Sequence, residues 1–267
     1  MTTTSTRPTA LVTGASSGIG AALARLFAKN GYDLVMVARS QQALEHLANE
    51  LTRTSGAKVV VLTKDLAHAS AAEEIVAALQ QQGIQIDVLV NNAGFATYGM
   101  FAEIDPQAEL EMMQVNMITL THLIKLLLPG MLVRHRGKIL NVASTAAFQP
   151  GPLMAVYYAT KAYVLSLSEA LAEELRGSGV SVTALCPGPT RSGFQERAKM
   201  QESRLVQGDI MDAETVATAG YRALMSNKRM VIPGTQNRLM ALAPRLLPRS
   251  LITRFVRRAQ ERVHSNR

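Results

Sequence analysis

The residue types best suited to acid–base chemistry lie close together between Ser144 and Lys161. The serine ends an apolar run, Tyr157 follows thirteen residues later, and the lysine comes four residues after that tyrosine. Because residues i and i+4 share one face of a helix, we expect the ammonium beside the phenol. Its charge should lower the pKa of Tyr157 from the usual value of about 10, towards the range of a general acid–base. Tyr158 has no such partner, because Ala162 stands four residues after it.

The elements that must position this segment alternate along the chain as strand and helix. Short apolar runs predict the strands, which are TALVT, DLVMVAR, AKVVVLTKD, IDVLVNNAG, GKILNVAS, VSVTALCP and RMVIPG. Asp105 is predicted to cap a long helix over 106–133, and Asp212 a later one. The polar stretch 188–209 is predicted to be irregular. Apolar strands alternating with helices predict an α/β fold with a parallel sheet covered on both faces.

A glycine-rich turn, GASSGIG, joins the first strand to the first helix. Gly14, Gly18 and Gly20 would allow a tight turn and a close backbone approach to a dinucleotide pyrophosphate at the helix N-terminus. A glycine trio alone is weak evidence, and a simple turn is the alternative.

Arg39 follows the second strand, where NAD-binding proteins place an acid for the ribose 2′-OH. Its guanidinium suits a 2′-phosphate, which favours NADP(H) over NAD(H), although a solvated loop arginine is the alternative.

The order and spacing of these features resemble those of the short-chain dehydrogenase/reductase family over roughly residues 9–234. The matching features are GASSGIG, Asp65, NNAG at 91–94, Asn116, Ser144, the YxxxK of Tyr157 and Lys161, and the Pro187–Gly188 pair. The resemblance implies a Rossmann-like, doubly wound parallel sheet of about seven strands with helices on both faces. It also implies a homodimer or homotetramer, built through the helix from Pro106 and the helix that carries Tyr157.

The resemblance further implies which residues hold NADP(H) and which act on the substrate. The expected cofactor residues, with Arg39, are Gly14, Ser16, Ser17, Gly18, Ile19, Gly20, Asp65, Leu66, Asn92, Ala93, Gly94, Tyr157, Lys161, Pro187, Gly188 and Thr190. The expected catalytic residues are Asn116, Ser144, Tyr157 and Lys161.

Each catalytic residue has an implied role. Ser144 would polarise the substrate carbonyl, and Tyr157 would donate the proton that completes the alcohol. Lys161 would hold the nicotinamide ribose and lower the phenol pKa, and Asn116 would anchor a water that relays protons. The alternatives are a satisfied buried amide for Asn116 and a strand-end cap for Ser144.

These features predict an NADPH-dependent oxidoreductase that reduces the carbonyl of a hydrophobic ketone, aldehyde or 3-oxoacyl compound. Substrate contacts are expected from residues 95–101, from residues 145–156 and from the stretch after Gly188. The apolar residues of the first two segments, unless they only pack against the loop after Gly188, are Phe95, Tyr98, Met100, Phe148, Leu153 and Met154. A non-catalytic NADP(H) sensor or scaffold is an alternative function. A serine hydrolase is another, because Gly14–Gly18 matches GxSxG. The five histidines, however, show neither a triad context nor metal-ligand spacing, and no metal is expected.

Positive charge is concentrated at the C-terminal end. Of the net charge of +8, the tail 238–267 carries +7, from eight arginines against one glutamate, and the single domain predicted over 1–237 carries +1. No basic stripe or RNA-binding signature accompanies it, which argues against nucleic acid. From Ser250 the tail predicts a basic amphipathic helix, whose apolar residues are Leu251, Ile252, Phe255, Val256 and Val263 and whose arginines are Arg254, Arg257, Arg258 and Arg262. Packing on the body or on a partner subunit is favoured over contact with an anionic membrane surface.

Cysteine usage and hydropathy bear on the compartment. Cys186 is the only cysteine, which excludes an internal disulfide framework, suits a reducing compartment and predicts a buried thiol. The first residues carry no apolar signal segment, and no uninterrupted apolar stretch approaches about 18 residues. We therefore expect a cytoplasmic protein.

Overall fold

A seven-stranded parallel sheet runs through the centre of the protein. The computed structural model describes residues 7–194, 198, 200 and 210–261. The strands, in chain order, are β1 Thr9–Thr13, β2 Asp33–Ala38, β3 Val59–Thr63, β4 Val88–Asn91, β5 Gly137–Val142, β6 Val180–Leu185, β7 Thr190–Arg191, β8 Met211–Asp212 and β9 Met230–Val231. The large sheet has the order β3-β2-β1-β4-β5-β6-β9, and β7 pairs with β8 in a separate parallel ribbon. The predicted doubly wound α/β fold is confirmed.

Helices cover both faces of this sheet. In chain order they are α1 Gly18–Lys29, α2 Gln41–Ser55, α3 Ala71–Gln81, α4 Pro106–Met113, a π-helical segment Gln114–Thr119, α5 Leu120–Val133, a 3₁₀ helix Thr145–Phe148, α6 Ala155–Glu174, α7 Ala213–Met225, α8 Thr235–Leu246 and α9 Arg249–Gln260. Helices α1, α2 and α7 share one buried apolar cluster with the sheet. Helices α3, α5 and α6 share a second cluster with the opposite face. The strands therefore read as continuous apolar runs because both of their faces are buried.

The predicted caps fix where two helices begin. Asp105 Oδ1 accepts a hydrogen bond from Gln107 N at 3.1 Å, with Pro106 in the first turn of α4. Asp212 Oδ1 accepts one from Thr215 N at 2.7 Å at the start of α7. Both predicted caps are confirmed, and each satisfies a backbone N–H that the helix itself leaves unpaired.

The predicted long helix over 106–133 has the expected extent but is not α-helical throughout. Residues Gln114–Thr119 adopt π-helical geometry, which inserts extra backbone into one turn. Length and a mean hydropathy of 1.4 alone would allow Pro106–Val133 to cross a bilayer, but a core helix meets the same test. One side of this segment, with Met112, Leu123 and Met131, is buried in the interior.

The C-terminal third departs most from the sequence prediction. The stretch 188–209 was predicted to be irregular, but it contains β7, whose two residues are too few to give a periodic pattern. Residues 195–197, 199 and 201–209 of that stretch lie outside the described part of the chain. Helix α8 was not predicted, and the proposed boundary between 237 and 238 falls inside it.

Gly20 gives a test of how the glycine-rich turn packs. A Cβ at this position would lie 2.2 Å from Gly14 O and 2.5 Å from Asn92 Nδ2. We expect Gly20→Ala to lower the free energy of unfolding by about 1–3 kcal/mol in urea denaturation, because overpacking outweighs the better helix propensity of alanine. Gly193→Ala is the control, since no described residue lies within 4 Å of its added Cβ. A Gly20→Ala protein as stable as the wild type would contradict this packing.

Candidate active site

A cavity of about 570 Å³ opens at the carboxyl ends of the parallel strands. Its walls are formed by the segments that follow β1 to β6, and it spans the point between β1 and β4 where the strand order reverses. In open parallel sheets this switch point is where ligands bind, because loops on either side of it diverge and leave a crevice. The topology therefore places a binding cavity where the sequence predicted the cofactor.

The structure brings nearly all of the predicted site residues to this cavity. Those that line it are Gly14, Ser16, Ser17, Gly18, Ile19, Arg39, Asp65, Leu66, Asn92, Ala93, Gly94, Ser144, Tyr157, Lys161, Pro187, Gly188 and Thr190. Gly20 and Asn116 are not among the lining residues. Gly20 lies beneath the glycine-rich turn, and Asn116 lies behind Gly94, whose added Cβ would be 3.0 Å from Asn116 Oδ1.

The glycine-rich turn presents the N-terminus of α1 to the cavity. Gly14 and Gly18 have φ angles of 65° and 54°, a region that glycine occupies without strain. Ser17 is the N-cap but makes no side-chain cap bond, and the first turn of α1 contains no acidic residue. Asn92 Nδ2 donates to Thr13 O at 2.9 Å and to Gly14 O at 3.2 Å, which holds the turn against the end of β4. This arrangement of helix dipole and backbone N–H groups fits a diphosphate.

The other end of the cavity, beyond β2 and β3, carries charged side chains. Arg39 Nη1 lies 3.9 Å from Asp65 Oδ2, and the two side chains are 65% and 37% exposed. Lys64 also lines this end and pairs with Glu74. The acid therefore follows β3, and the residue at the end of β2 is a largely exposed cation.

Ser144 lies at the end of β5 in an extended conformation. Its Oγ accepts a hydrogen bond from Ala146 N at 3.1 Å and donates to Pro187 O at 3.4 Å. Its hydroxyl also lies close enough to Tyr157 to lower the pKa of that phenol. Ser144 thus makes the strand-end cap that the alternative described, and it shares the cavity wall with Tyr157.

The pKa of Tyr157 moves in the direction opposite to the prediction. Burial raises the pKa of this phenol above its usual value of 10.0 and outweighs the hydrogen bond to Ser144, which lowers it. Lys161 Nζ lies 5.8 Å from the centre of the Tyr157 ring and donates to Val142 O at 2.9 Å. The prediction of a lowered phenol pKa is wrong for this arrangement, because desolvation of the buried phenol is the largest effect and disfavours the phenolate. At neutral pH the phenol is protonated, which is the form that can donate a proton.

Asn116 lies in the π-helical segment and is 1% exposed. Its Nδ2 donates to Phe95 O at 3.0 Å and to Thr160 Oγ1 at 3.1 Å, and its Oδ1 accepts from Phe95 N at 3.2 Å. The alternative of a satisfied buried amide therefore describes its contacts, and a water-anchoring role stays a prediction. A π-helical turn often occurs at a functional site, and here it turns an amide towards the loop after β4.

Ser16 lies on the cavity wall, as the GxSxG alternative requires, but lacks a base. None of the histidines in the described residues, which are His46, His68, His122 and His135, lines the cavity; His264 lies outside them. The described part of the chain also contains no cluster of three or more histidine, cysteine, aspartate or glutamate side chains suited to a metal ion. The geometry gives no support to a hydrolase.

Comparison with known proteins agrees with this geometry. The family model for short chain dehydrogenase matches residues 8–203. The chain belongs to the short-chain dehydrogenase/reductase family. It is 33% identical over 231 residues to the ketoacyl reductase HetN of a Nostoc species, covering 86% of this chain and 79% of that protein.

Two solved structures show the same fold. A short-chain dehydrogenase from Sphingobium yanoikuyae, in complex with NADPH, is 34% identical with a TM-score of 0.81, covering 95% of this chain and 98% of that one. A bulky-bulky ketone specific alcohol dehydrogenase from Comamonas testosteroni is 30% identical with a TM-score of 0.76, covering 92% and 93%. This short-chain dehydrogenase/reductase therefore shares its architecture with nicotinamide-dependent and ketone-specific relatives.

In this short-chain dehydrogenase/reductase the C-terminal helix α9 packs onto α6. Ile252 and Val256 of α9 belong to the same buried apolar cluster as Tyr157. Gln260 Nε2 donates to Tyr158 OH at 2.5 Å, and burial raises the pKa of that phenol to about 12. The packed stripe of α9 agrees with the favoured expectation for the tail; Arg262 and Val263 lie outside the described residues. Amphipathicity predicted the stripe, but nothing local in the sequence could identify a contact spanning 102 positions.

The apolar wall of the cavity is only partly the predicted one. Of the six residues expected to contact the substrate, Phe95 and Met154 line the cavity; Tyr98, Met100, Phe148 and Leu153 do not. Phe194 and Met200, in the stretch after Gly188 that was also expected to contribute, line the cavity too. Val115, Tyr158 and Met240 complete the wall and were not expected. Met240 comes from a segment with no recognisable motif, so only the folded chain could place it.

The buried lysine gives a pH-dependent test. Burial lowers the pKa of Lys161 to about 8 from 10.5, so the unfolded chain binds this proton more tightly than the folded one. Below pH 8 the buried charge therefore lowers the free energy of unfolding by its full amount. This destabilisation decreases as the pH rises towards 10.5. Relative to Lys161→Met, the free energy of unfolding of the wild type should gain on the order of 2–3 kcal/mol across that window. Urea denaturation of both proteins at several pH values would measure it, and a constant difference would contradict a lowered pKa.

Proposed function

We propose that this protein is an NADPH-dependent carbonyl reductase that acts on a hydrophobic ketone, aldehyde or 3-oxoacyl compound. The observation that carries the proposal is the presence of Ser144, Tyr157 and Lys161 on the wall of the same cavity that contains the glycine-rich turn. Two hydroxyls at one point can bind and protonate a single oxygen atom. Their position beside a dinucleotide-shaped crevice suits reduction by hydride transfer.

The residues that would hold NADPH extend along the whole cavity. The turn at Gly14–Ile19 would bind the diphosphate, and Arg39 would bind the 2′-phosphate, helped by Lys64. Thr190, which follows the Pro187–Gly188 pair, would contact the nicotinamide end. When bound, NADPH supplies the hydride that the carbonyl carbon accepts.

The hydroxyls of Ser144 and Tyr157 would hold the substrate oxygen. Ser144 donates a hydrogen bond that polarises the carbonyl, and Tyr157 then transfers its proton to the oxygen as negative charge develops there. A buried phenol with a raised pKa is protonated at neutral pH and is ready for this transfer. Lys161, which has a pKa of about 8, keeps its charge near neutrality and would bind the nicotinamide ribose.

A hydrophobic substrate is favoured by the composition of the wall near Tyr157. Phe95, Met154, Phe194 and Met240 bring aromatic and thioether surface to the cavity, and apolar surface binds apolar ligands by removing both from water. The relatives support the reaction class, since one is named as a ketoacyl reductase and another as specific for bulky-bulky ketones.

We further propose a cytoplasmic homodimer or homotetramer. Support for self-association comes from exposed apolar side chains along α4, the π-helical segment, α5 and α6. They are Leu110, Ile118, Leu126, Val133 and Tyr163. Exposed apolar surface concentrated on adjacent helices is typical of a subunit interface.

Removal of one hydroxyl separates this proposal from a non-catalytic NADP(H) sensor. Tyr157→Phe should reduce turnover by roughly 10²–10⁴-fold, because the proton donor is lost, while NADPH affinity changes little. NADPH oxidation with a panel of ketones, aldehydes, quinones and 3-oxoacyl thioesters measures turnover, and fluorescence titration measures binding. Tyr163→Phe, on an exposed part of the same helix, is the matched control and should keep full activity. A wild-type protein that binds NADPH but reduces none of the panel would favour the sensor.

The cofactor choice has its own test at the end of β2. Arg39→Asp should weaken NADPH binding by roughly 10–100-fold, because a charge-assisted contact to the 2′-phosphate becomes a repulsion. NADH, which has no such phosphate, should be affected by less than about threefold on the same reasoning. Arg53→Asp, on the exposed side of α2, provides the charge-matched control. Equal losses for the two nucleotides would rule out the assignment of Arg39.

A further inference from the structure

The exposed large apolar side chains of the described residues form two groups. One group lies on α4–α6 and is the proposed subunit interface. The other belongs to α8, α9, their connection and the loop after β4, and it consists of Met100, Phe101, Leu239, Met240, Leu242, Leu247, Leu251 and Phe255, which are 39% to 69% exposed. This second group is called the C-terminal apolar face.

Helices α8 and α9 each have a buried and an exposed apolar side. In α9, Ile252 and Val256 pack into the body, while Leu251 and Phe255, also four residues apart, are 53% and 69% exposed. In α8, Ala241 is buried and its neighbour Leu242 is 49% exposed. Ala241 and Ile252 line one small cavity together, so both helices turn their buried sides to the same part of the body. Their exposed sides therefore face outward together.

The two helices of the C-terminal apolar face also carry positive charge. Residues 235–260 contain six arginines and no aspartate, glutamate or lysine. Arg238, Arg249, Arg254 and Arg258 are exposed. The next acid along the chain, Glu261, lies 3.7 Å from Arg257 and leaves those four without a neutralising carboxylate from the two helices.

We propose that α8 and α9 bind the surface of an anionic lipid bilayer through the C-terminal apolar face. Apolar side chains interleaved with arginines suit the surface of a bilayer. There the apolar side chains enter the headgroup region, and the guanidinium groups contact lipid phosphates. A second copy of the chain is disfavoured as the occupant, because a symmetric contact would bring arginines against arginines. The apolar group on α4–α6 does not carry this concentration of arginine.

The position of the face relates it to the main cavity. Met240 both lines that cavity and is 39% exposed, so the cavity reaches the surface beside α8. Met100 is connected to α9, with its Sδ 3.8 Å from Arg257 Nη2. A bilayer on the C-terminal apolar face would lie next to this opening and could supply apolar substrates from the lipid phase. That consequence rests on the proposed function, whereas the binding itself does not.

Cosedimentation with vesicles tests the binding without any measurement of turnover. The full-length protein should sediment with vesicles of phosphatidylcholine and phosphatidylserine, and much less with phosphatidylcholine alone. The triple variant Arg249→Gln, Arg254→Gln, Arg258→Gln should bind on the order of 100-fold more weakly, since each arginine contributes roughly a fivefold factor. The double variant Leu251→Ser, Phe255→Ser should lose a similar factor, on the order of 100-fold, through its apolar contacts.

A charge-matched control separates this face from general attraction. The variant Arg53→Gln, Lys58→Gln, Arg222→Gln also lowers the net charge from +8 to +5, but at exposed positions on other parts of the fold. It should bind the mixed vesicles within about threefold of the wild type, given that charges beyond a Debye length contribute little. Circular dichroism and NADPH titration would verify that each variant is folded.

Three outcomes would overturn the proposal. The first is no sedimentation of the wild type with the mixed vesicles, and the second is an equal loss in the control and test triple variants. The third combines two observations: the wild type does not bind vesicles, and the double variant Leu251→Ser, Phe255→Ser has half the molecular mass of the wild type in analytical ultracentrifugation. That result would assign the face to a second copy of the chain. A failure to reduce carbonyl compounds would leave the vesicle result unaffected.

Discussion

The burial of the Lys161 ammonium is the constraint on which the active-site geometry depends. The residue is 5% exposed, and its Nζ donates to Val142 O at the end of β5. Taking a charge out of water is unfavourable, so the surrounding backbone must approach it closely. Position 94 lies beside Lys161 and Asn116, and an added Cβ there would be in ordinary contact with Nζ at 3.5 Å but crowded against the amide oxygen of Asn116 at 3.0 Å. The lysine thus ties helix α6 to the end of β5, while Asn116, which bonds both Phe95 and Thr160, ties the loop after β4 to α6.

Local spacing predicted the parts of the site that depend on one element. Residues close together in the sequence were enough to recognise the glycine-rich turn, the Tyr157–Lys161 pair and the capping aspartates. The strands could be recognised as apolar runs. The position of Arg39 followed from the end of a strand, and the structure brings it to the expected end of the cavity. The fold itself was predictable because parallel strands and helices alternate without interruption.

Long-range packing accounts for what the sequence could not predict. The pKa of Tyr157 depends on how completely the phenol is buried, and that burial comes from Phe194, Tyr158 and the apolar stripe of α9, all assembled by the fold. The partner of the Asn116 amide is the backbone of Phe95, which carries no side-chain signal. Beyond the family match at residue 203, Asn237 of α8 lies under Gly188, where an added Cβ would be 2.3 Å from its Oδ1. The C-terminal helices therefore help to fix the segment expected to contact the nicotinamide.

Burial shifts the pKa values of Tyr157 and Lys161 in opposite directions. It raises the pKa of the phenol and lowers that of the lysine to about 8, so on rising pH the lysine loses its proton first. A phenolate–ammonium pair is then not the resting form, and the tyrosine is better prepared to donate a proton than to accept one. In the proposed reaction, reduction needs the protonated phenol, which is the form that burial favours.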